Sequence, residues 1–165
     1  MNHANHLRYL FDVTRRNITI DLVLKEVEEK KYEFDAIAVR GTSGLLVGSI
    51  VAHLLGKEIC IVRKNNEGSH SLFNVEGPEG IEPKFLIIDD CVDSGETIVH
   101  ILAAIKASSE GAKCVGAIMY NRLVDKEFWL GQRTYSPDEL AALVKRFRDD
   151  FPDRYKDILF SYTRS

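Results

Sequence analysis

The feature that most restricts the fold of this chain is a stretch near its middle in which an apolar run leads into acids, small residues and a helical pattern. Residues 85–88 are all apolar, which is typical of a strand buried on both faces of a parallel sheet. Asp89 and Asp90 end this run, and residues 94–97 precede apolar residues at helical spacing. The pattern predicts a strand, an acidic tip, a small-residue turn and a helix in direct succession.

Each part of this stretch suits a phosphorylated sugar. The amides of a helix N-terminus attract an anion, and Gly95 lets the backbone approach it closely. The hydroxyls of Ser94 and Thr97 can donate to phosphate oxygens. Asp89 and Asp90 follow a strand at the end where open α/β sheets bind ligands, and paired carboxylates can stabilise a cationic sugar transition state. The alternative is an ordinary strand-to-helix turn with capping residues, but the complete ordered string favours a binding site.

Residues 89–97 read Asp-Asp-Cys-Val-Asp-Ser-Gly-Glu-Thr. This run resembles the phosphoribosyl pyrophosphate (PRPP) signature of the type I phosphoribosyltransferases, and the resemblance extends over about residues 34–120. It implies transfer of a 5-phosphoribosyl group from PRPP to a nucleobase, with Asp89, Asp90 and Asp93 as catalytic residues. It also implies that Asp89 and Asp90 hold a Mg²⁺ ion, which the charge of PRPP requires. The implied 5-phosphate site consists of Asp93, Ser94, Gly95, Glu96 and Thr97.

A second segment combines glycine with a phosphate-binding side chain. Residues 34–39 predict a strand, which runs into Arg40-Gly-Thr-Ser-Gly44 and then into a helix that stops at Gly56. The glycine spacing matches neither the nucleoside triphosphate loop nor the dinucleotide fingerprint. The resemblance implies that this segment binds pyrophosphate together with Arg63 and Lys64. The pyrophosphate residues of the segment are Arg40, Gly41, Thr42, Ser43 and Gly44.

Residues 64–84 are polar and are interrupted by glycine and proline. A disordered connector is one interpretation, but long loops inside compact domains are usually lids or binding loops. The resemblance implies a mobile lid that excludes water from the reacting ribose. His70 and Ser71 are the lid candidates, although a solvated loop histidine is the alternative for His70, and residues 71–76 could pair as a short hairpin strand.

The alternation of strands and helices from residue 34 to residue 119 predicts an α/β fold, with a parallel sheet flanked by helices on both faces. A surface helix at residues 20–31 precedes it. We expect one phosphoribosyltransferase domain over residues 1–165, with a core at about 18–120, the lid at 64–84, and a small C-terminal hood with its helices at 121–165.

The hood implied by the resemblance would close over the nucleobase. Its base-binding candidates are Tyr120, Asn121 and Trp129, because an aromatic ring can stack on a base, although core packing is an equal alternative for Trp129. A capping box at residues 136–139 predicts a helix that ends before Pro152. The role of residues 153–165 is left open by their sequence.

Asp93 bears on the identity of the base. The family carries Asp at this position in its hypoxanthine-guanine and xanthine-guanine branches, where it handles the purine N7 proton, and usually Thr or Ala in its orotate and adenine branches. A 6-oxopurine substrate and nucleotide salvage are therefore predicted. An orotate or adenine enzyme and a non-catalytic PRPP sensor are the alternatives. Two departures oppose the prediction, since Tyr120 to Arg122 lack the base-binding Lys and Glu96 adds negative charge to the phosphate turn.

Composition limits the partners and the compartment. The net charge of −3 gives no reason to expect a nucleic acid partner. No apolar run approaches the roughly 20 residues of a membrane span, and the N-terminus lacks a signal-peptide pattern. Cys60, Cys91 and Cys114 show no metal or disulfide spacing, which is typical of reduced thiols in the cytoplasm. A homodimer is expected from the resemblance.

Overall fold

The fold was analysed in a computed structural model that describes residues 5–64, 74–79, 82–124 and 127–163. A 3₁₀-helix at Asn5–Phe11 opens this part of the chain. The α-helices are α1 (Val13–Lys30), α2 (Gly41–Leu55), α3 (Glu96–Ser108), α4 (Pro137–Asp150) and α5 (Pro152–Thr163). The strands are β1 (Ala36–Arg40), β2 (Glu58–Val62), β3 (Val75–Glu76), β4 (Lys84–Asp89), β5 (Lys113–Val124) and β6 (Glu127–Tyr135).

The described strands form one mixed sheet in the order β3-β2-β1-β4-β5-β6. The four central strands pair in parallel, as the sequence predicts. Both edge pairings are antiparallel, β3 on β2 and β6 on β5. The connection from β5 to β6 is too short for a parallel crossover, so β6 must return beside β5 in the opposite direction. The α/β fold with helices on both faces is confirmed, and the sheet is mixed at its edges.

The central strands are apolar on both sides because each face of the sheet carries its own core. One face packs against α1 and α2 and buries Ile37, Val39, Leu86, Ile88 and Ile118. The other face packs against α3, α4 and α5 and buries Ala36, Ala38, Phe85, Ile87 and Ala117. Successive residues of β1 and β4 alternate between these cores, as the period of a strand requires.

The two ends of the chain contribute more structure than their sequence predicts. Helix α1 begins at Val13, where the side chain of Asp12 accepts a hydrogen bond of 2.9 Å from the amide of Arg15. The capping box of α4 is confirmed, with Ser136 and Glu139 bonded reciprocally. Helix α5 packs on α3, and its residues Ile158 and Tyr162 are buried. Helices α4 and α5 thus cover one core of the sheet, and closure of a hood over a base stays a prediction.

Within the predicted lid, the structure describes residues 64, 74–79 and 82–84. Val75 and Glu76 pair with β2 as the second strand of a hairpin, which agrees with the short strand considered from the sequence. The lid candidates His70 and Ser71 lie outside the described residues. Within the described ranges, no helix is both long and apolar enough to cross a membrane.

Candidate active site

A cavity of about 270 Å³ lies at the carboxyl ends of β1 and β4, the neighbouring strands from which the sheet extends in opposite directions. Crevices of this kind are where open α/β sheets bind ligands. Its lining residues are Arg40, Ser43, Lys64, Asp89, Asp90, Cys91, Val92, Asp93, Ser94, Gly95, Glu96, Thr97 and Ile98. The structure therefore brings the twin acids, the predicted phosphate turn and part of the predicted pyrophosphate site to one cavity.

The twin acids are held in fixed positions. Asp89 ends β4 and is buried, and its Oδ1 accepts hydrogen bonds from the hydroxyl of Ser43 at 3.0 Å and from the amide of Asp90 at 2.9 Å. Asp90 Oδ1 accepts one from the amide of Cys91 at 2.8 Å. Burial, followed by the negative charge of Asp90, raises the pKa of Asp89 to about 7. This pair of carboxylates therefore favours the arrival of a proton or a cation.

The carboxylates are suited to Mg²⁺ in one specific way. Among the described residues, no group of three or more His, Cys, Asp or Glu side chains could enclose a metal ion. Asp89 and Asp90 nevertheless offer hard oxygen donors at the open cavity. Mg²⁺ is commonly bound by one or two carboxylates together with substrate phosphates and water. The donor set thus fits a Mg²⁺ ion that arrives with a phosphorylated substrate.

The predicted phosphate turn leads directly into α3. Gly95 is the N-cap residue and has a φ of +89°, a left-handed conformation that favours glycine. Ser94 Oγ accepts a hydrogen bond of 3.3 Å from the amide of Glu96. Gly95, at the N-cap position, has no side chain with which to cap the helix. A helix N-terminus of this kind presents amide donors and a favourable dipole to an anion.

Only part of the predicted pyrophosphate segment, Arg40 to Gly44, lines the cavity. It forms the last residue of β1 and the first turn of α2, so it is not an extended loop. Arg40 and Ser43 line the cavity. A Cβ atom on the buried Gly44 would lie 2.9 Å from the carbonyl oxygen of Ile88, so glycine here lets α2 approach β4 closely. Gly41 and Thr42 are not among the lining residues.

The two basic residues after β2 also differ. Lys64 lines the cavity. Arg63 forms an ion pair with Glu76 of β3, with its Nη2 at 2.8 Å from the carboxylate. The assignment of Arg63 to pyrophosphate is therefore not supported by this arrangement, because its guanidinium is held by the neighbouring strand.

Two of the base-binding candidates, Tyr120 and Asn121, have buried side chains and so offer no exposed platform. Tyr120 is 2% exposed, and its hydroxyl donates a 2.6 Å hydrogen bond to the carbonyl of Ser43. Its ring therefore lies in the core beneath α2, which corrects its assignment to base stacking. Asn121 is also buried, and its backbone N–H donates to the carbonyl of Asp90 at 2.7 Å. Trp129 lies in β6, where its backbone pairs with Arg122 of β5.

Three side chains near the turn are not singled out by the sequence analysis. His100 Nδ1 lies 2.7 Å from the hydroxyl of Tyr162, and Arg40 is close enough to favour the ionised form of that hydroxyl, although burial raises its pKa overall. Arg154 forms a hydrogen-bonded ion pair with Glu96. Glu96 and His100 are four residues apart on α3, so the sequence alone could have indicated that their side chains are neighbours. Arg154 and Tyr162 come from α5, and their position depends on the tertiary packing of that helix on α3.

Proteins of similar sequence are phosphoribosyltransferases, which are enzymes. An orotate phosphoribosyltransferase from Pyrobaculum islandicum is 26% identical over 138 residues, which cover 78% of this chain and 69% of that protein. An adenine phosphoribosyltransferase from Mycoplasma capricolum is 24% identical over 159 residues, which cover 88% of this chain and 84% of that protein. No family model matches the chain.

Solved structures show the same fold at lower identity. The orotate phosphoribosyltransferase from Aeropyrum pernix gives a TM-score of 0.55 at 21% identity, covering 70% of this chain and 63% of that one. The orotate phosphoribosyltransferase from Mycobacterium tuberculosis in complex with PRPP gives a TM-score of 0.54 at 14% identity, covering 70% and 64%. The fold is therefore that of the type I phosphoribosyltransferases.

The sequence relatives and the shared fold show that this chain is similar to the type I phosphoribosyltransferases. Both relatives are of the orotate and adenine types. They do not support the xanthine-guanine or hypoxanthine-guanine branch that Asp93 predicts.

Proposed function

We propose that this protein transfers the 5-phosphoribosyl group of PRPP to a nucleobase and releases pyrophosphate. The observation that carries the proposal is the single cavity in which the twin acids, the turn at residues 93–97, Arg40 and Lys64 all meet. These groups provide the three recognition elements that PRPP needs: an anion site for the 5-phosphate, an anion site for the pyrophosphate, and acceptors for the vicinal ribose hydroxyls. A related fold has been solved in complex with PRPP, which supports the choice of donor.

The proposed roles follow the positions of the side chains. The amides and hydroxyls of residues 93–97 bind the 5-phosphate at the N-terminus of α3. Asp89 and Asp90 accept hydrogen bonds from the ribose hydroxyls and would hold Mg²⁺, which neutralises charge on the pyrophosphate. Arg40 and Lys64, which line the same cavity, bind the pyrophosphate, Arg40 through a planar fork and Lys64 as a point charge.

Catalysis would depend on positioning and charge. As the bond between the ribose and pyrophosphate lengthens, positive charge develops on the ribose ring, and Asp89 and Asp90 stabilise that charge from a site of low dielectric. Arg40 and Lys64 stabilise the charge that develops on the leaving group. Because both sets of charges are fixed by strand ends, little reorganisation is needed during the reaction.

The relatives favour orotate or adenine as the acceptor, which is the alternative kept open from the sequence, over a 6-oxopurine. Asp93 is exposed at the cavity, where it can receive a proton from a bound base. In an orotate or adenine enzyme, Asp93 would form part of the phosphate turn and would not accept a proton from a purine N7.

The proposal is tested by incubating the protein with PRPP and Mg²⁺ and with adenine, orotate, guanine, hypoxanthine or xanthine in turn, while pyrophosphate release is measured. Release with adenine or orotate is the expected result. Release with a 6-oxopurine alone would reverse the choice of base. Tight binding of PRPP without turnover of any base would overturn the enzymatic proposal in favour of a sensor.

A further inference from the structure

Glu96 is placed where a carboxylate should weaken phosphate binding. It is the first residue of α3 and follows Gly95 directly, so it belongs to the turn that lines the cavity. A negative charge near a helix N-terminus stabilises the helix, but it also repels a phosphate bound to the same amides. A phosphate site containing this residue therefore needs a means of offsetting its charge.

The structure provides a cation for this carboxylate from a distant part of the chain. Arg154, 58 residues further along and in the first turn of α5, donates a hydrogen bond to Glu96 Oε2. The guanidinium of Arg154 also lies over two aromatic rings, 4.9 Å from the centre of Phe151 and 5.6 Å from that of Phe147. Cation–π contacts with both rings restrict where this guanidinium can lie.

The other neighbour of Glu96 does not supply a positive charge at neutral pH. His100 Nε2 is 3.8 Å from Glu96 Oε1. Burial lowers the pKa of His100 to about 4, and the charges of Arg40, Arg154 and Lys64 act in the same direction. At this distance a neutral imidazole neither hydrogen bonds to the carboxylate nor neutralises its charge. Of the two ion-pair partners described for Glu96, Arg154 is therefore the cationic one.

We propose that Arg154 is a positioning residue of the phosphate site, which pairs with Glu96 and so draws its carboxylate away from the bound 5-phosphate and offsets its charge. This role goes beyond the proposed function, although it rests on that function for the identity of the phosphate ester. The positioning role of Arg154 gives α5 a function in phosphate binding, although no residue of α5 lines the cavity. The ion pair also connects α5 to the first residue of α3, so a change in the position of α5 would change the charge near the phosphate turn.

The test measures calorimetrically the binding of two probes, inorganic phosphate and PRPP with Mg²⁺, to a set of variants. The set consists of Arg154→Gln, Arg154→Lys, Glu96→Gln and the double variant Glu96→Gln/Arg154→Gln. Arg148→Gln is the matched control, because the Arg148 side chain is 50% exposed like that of Arg154 but does not line the cavity or contact Glu96. Thermal unfolding of each variant checks that it is folded.

The expected loss of phosphate affinity in Arg154→Gln is about three- to tenfold at low ionic strength. It should shrink in high salt, because the Glu96 carboxylate is partly exposed and dissolved ions screen its charge. Arg154→Lys should return to within about twofold of the wild type because lysine keeps a cation beside Glu96. The double variant should do the same because it also removes the charge of the Glu96 carboxylate. Arg148→Gln should bind as the wild type does.

Two results would overturn the proposal. The first is unchanged binding in Arg154→Gln. The second is equal loss in Arg154→Gln and in the double variant, which would make Arg154 a packing residue. The two probes separate this inference from the proposed function. If phosphate shows the expected pattern while PRPP does not bind, the positioning role is supported and the proposed function fails, whereas a wild-type chain that binds neither probe overturns both.

Discussion

The hydroxyl of Ser43 donates a hydrogen bond of 3.0 Å to Oδ1 of Asp89, although the two residues lie 46 positions apart in the sequence. Ser43 belongs to the first turn of α2 and Asp89 ends β4, so this bond joins the proposed pyrophosphate and ribose sites. Tyr120 also holds Ser43 in place, because its hydroxyl donates a hydrogen bond of 2.6 Å to the backbone carbonyl of Ser43. The two predicted subsites are thus parts of one hydrogen-bonded unit.

Replacement of Ser43 by alanine should weaken PRPP binding by about three- to tenfold, the effect of losing one hydrogen bond to the buried carboxylate of Asp89. The hydroxyl of Ser43 lowers the pKa of Asp89, so its removal should raise that pKa further and move the pH dependence of PRPP binding to higher pH. Calorimetric titration at several pH values measures both effects. Ser49→Ala, on the same helix but away from the cavity lining, is the control, and equal behaviour of the two variants would contradict the role of Ser43.

The raised pKa of Asp89 predicts a pH dependence of stability. Because the pKa in the folded state is about 7 and the ordinary value is 3.8, the native state holds a proton that the unfolded chain has already lost. The contribution of Asp89 to the free energy of unfolding should therefore fall as the pH rises from about 4 to 7. Asp89→Asn should remove this slope in urea titrations, with Asp21→Asn, an exposed carboxylate on α1, as the control. An unchanged slope in Asp89→Asn would show that Asp89 ionises normally.

The hydroxyl of Tyr162 hydrogen bonds with His100 and interacts electrostatically with Arg40, so Tyr162→Phe should have two effects. Loss of a buried hydrogen bond should lower the free energy of unfolding by about 1–2 kcal/mol. The Michaelis constant for PRPP should rise more than the turnover number falls, because Arg40 loses a group that orients it. Tyr155→Phe, on the same helix and partly exposed, is the control. A loss of stability with unchanged kinetics would limit Tyr162 to a packing role.

Asp93 distinguishes the candidate bases. If the acceptor is orotate or adenine, Asp93→Ala should keep turnover within about tenfold of the wild type, since no general base is lost. If the acceptor is a 6-oxopurine, the same variant should lose about 100-fold or more in turnover while PRPP binding changes little. Steady-state kinetics with each base, together with PRPP titration, separate the two. Equal loss of turnover and of PRPP binding would contradict both assignments and make Asp93 a structural part of the turn.

The parts of the fold that depend on local pattern could be predicted from the sequence. The apolar run at residues 85–88 and the glycine turn at Gly95 are local signals, and both lie where they were expected. The contribution of α5 could not be predicted, because Arg154 reaches Glu96 only through the packing of α5 on α3. Tyr120 was misassigned for a related reason. The position of Tyr120 in a strand does not reveal whether its ring reaches the cavity, and the ring packs in the core beneath α1 and α2.

The central claim is that the twin acids and the turn beyond them form a socket for a phosphorylated sugar, and binding of PRPP tests it most directly. Isothermal titration of the wild-type protein with PRPP in the presence of Mg²⁺ should give saturable binding at one site per chain. Asp89→Asn/Asp90→Asn should remove the dependence of PRPP binding on Mg²⁺ and weaken that binding by about 100-fold or more, because two charged acceptors are lost, each contributing about 1.5–3 kcal/mol. Absence of heat with the wild-type protein, or equal binding by the double variant, would contradict the account.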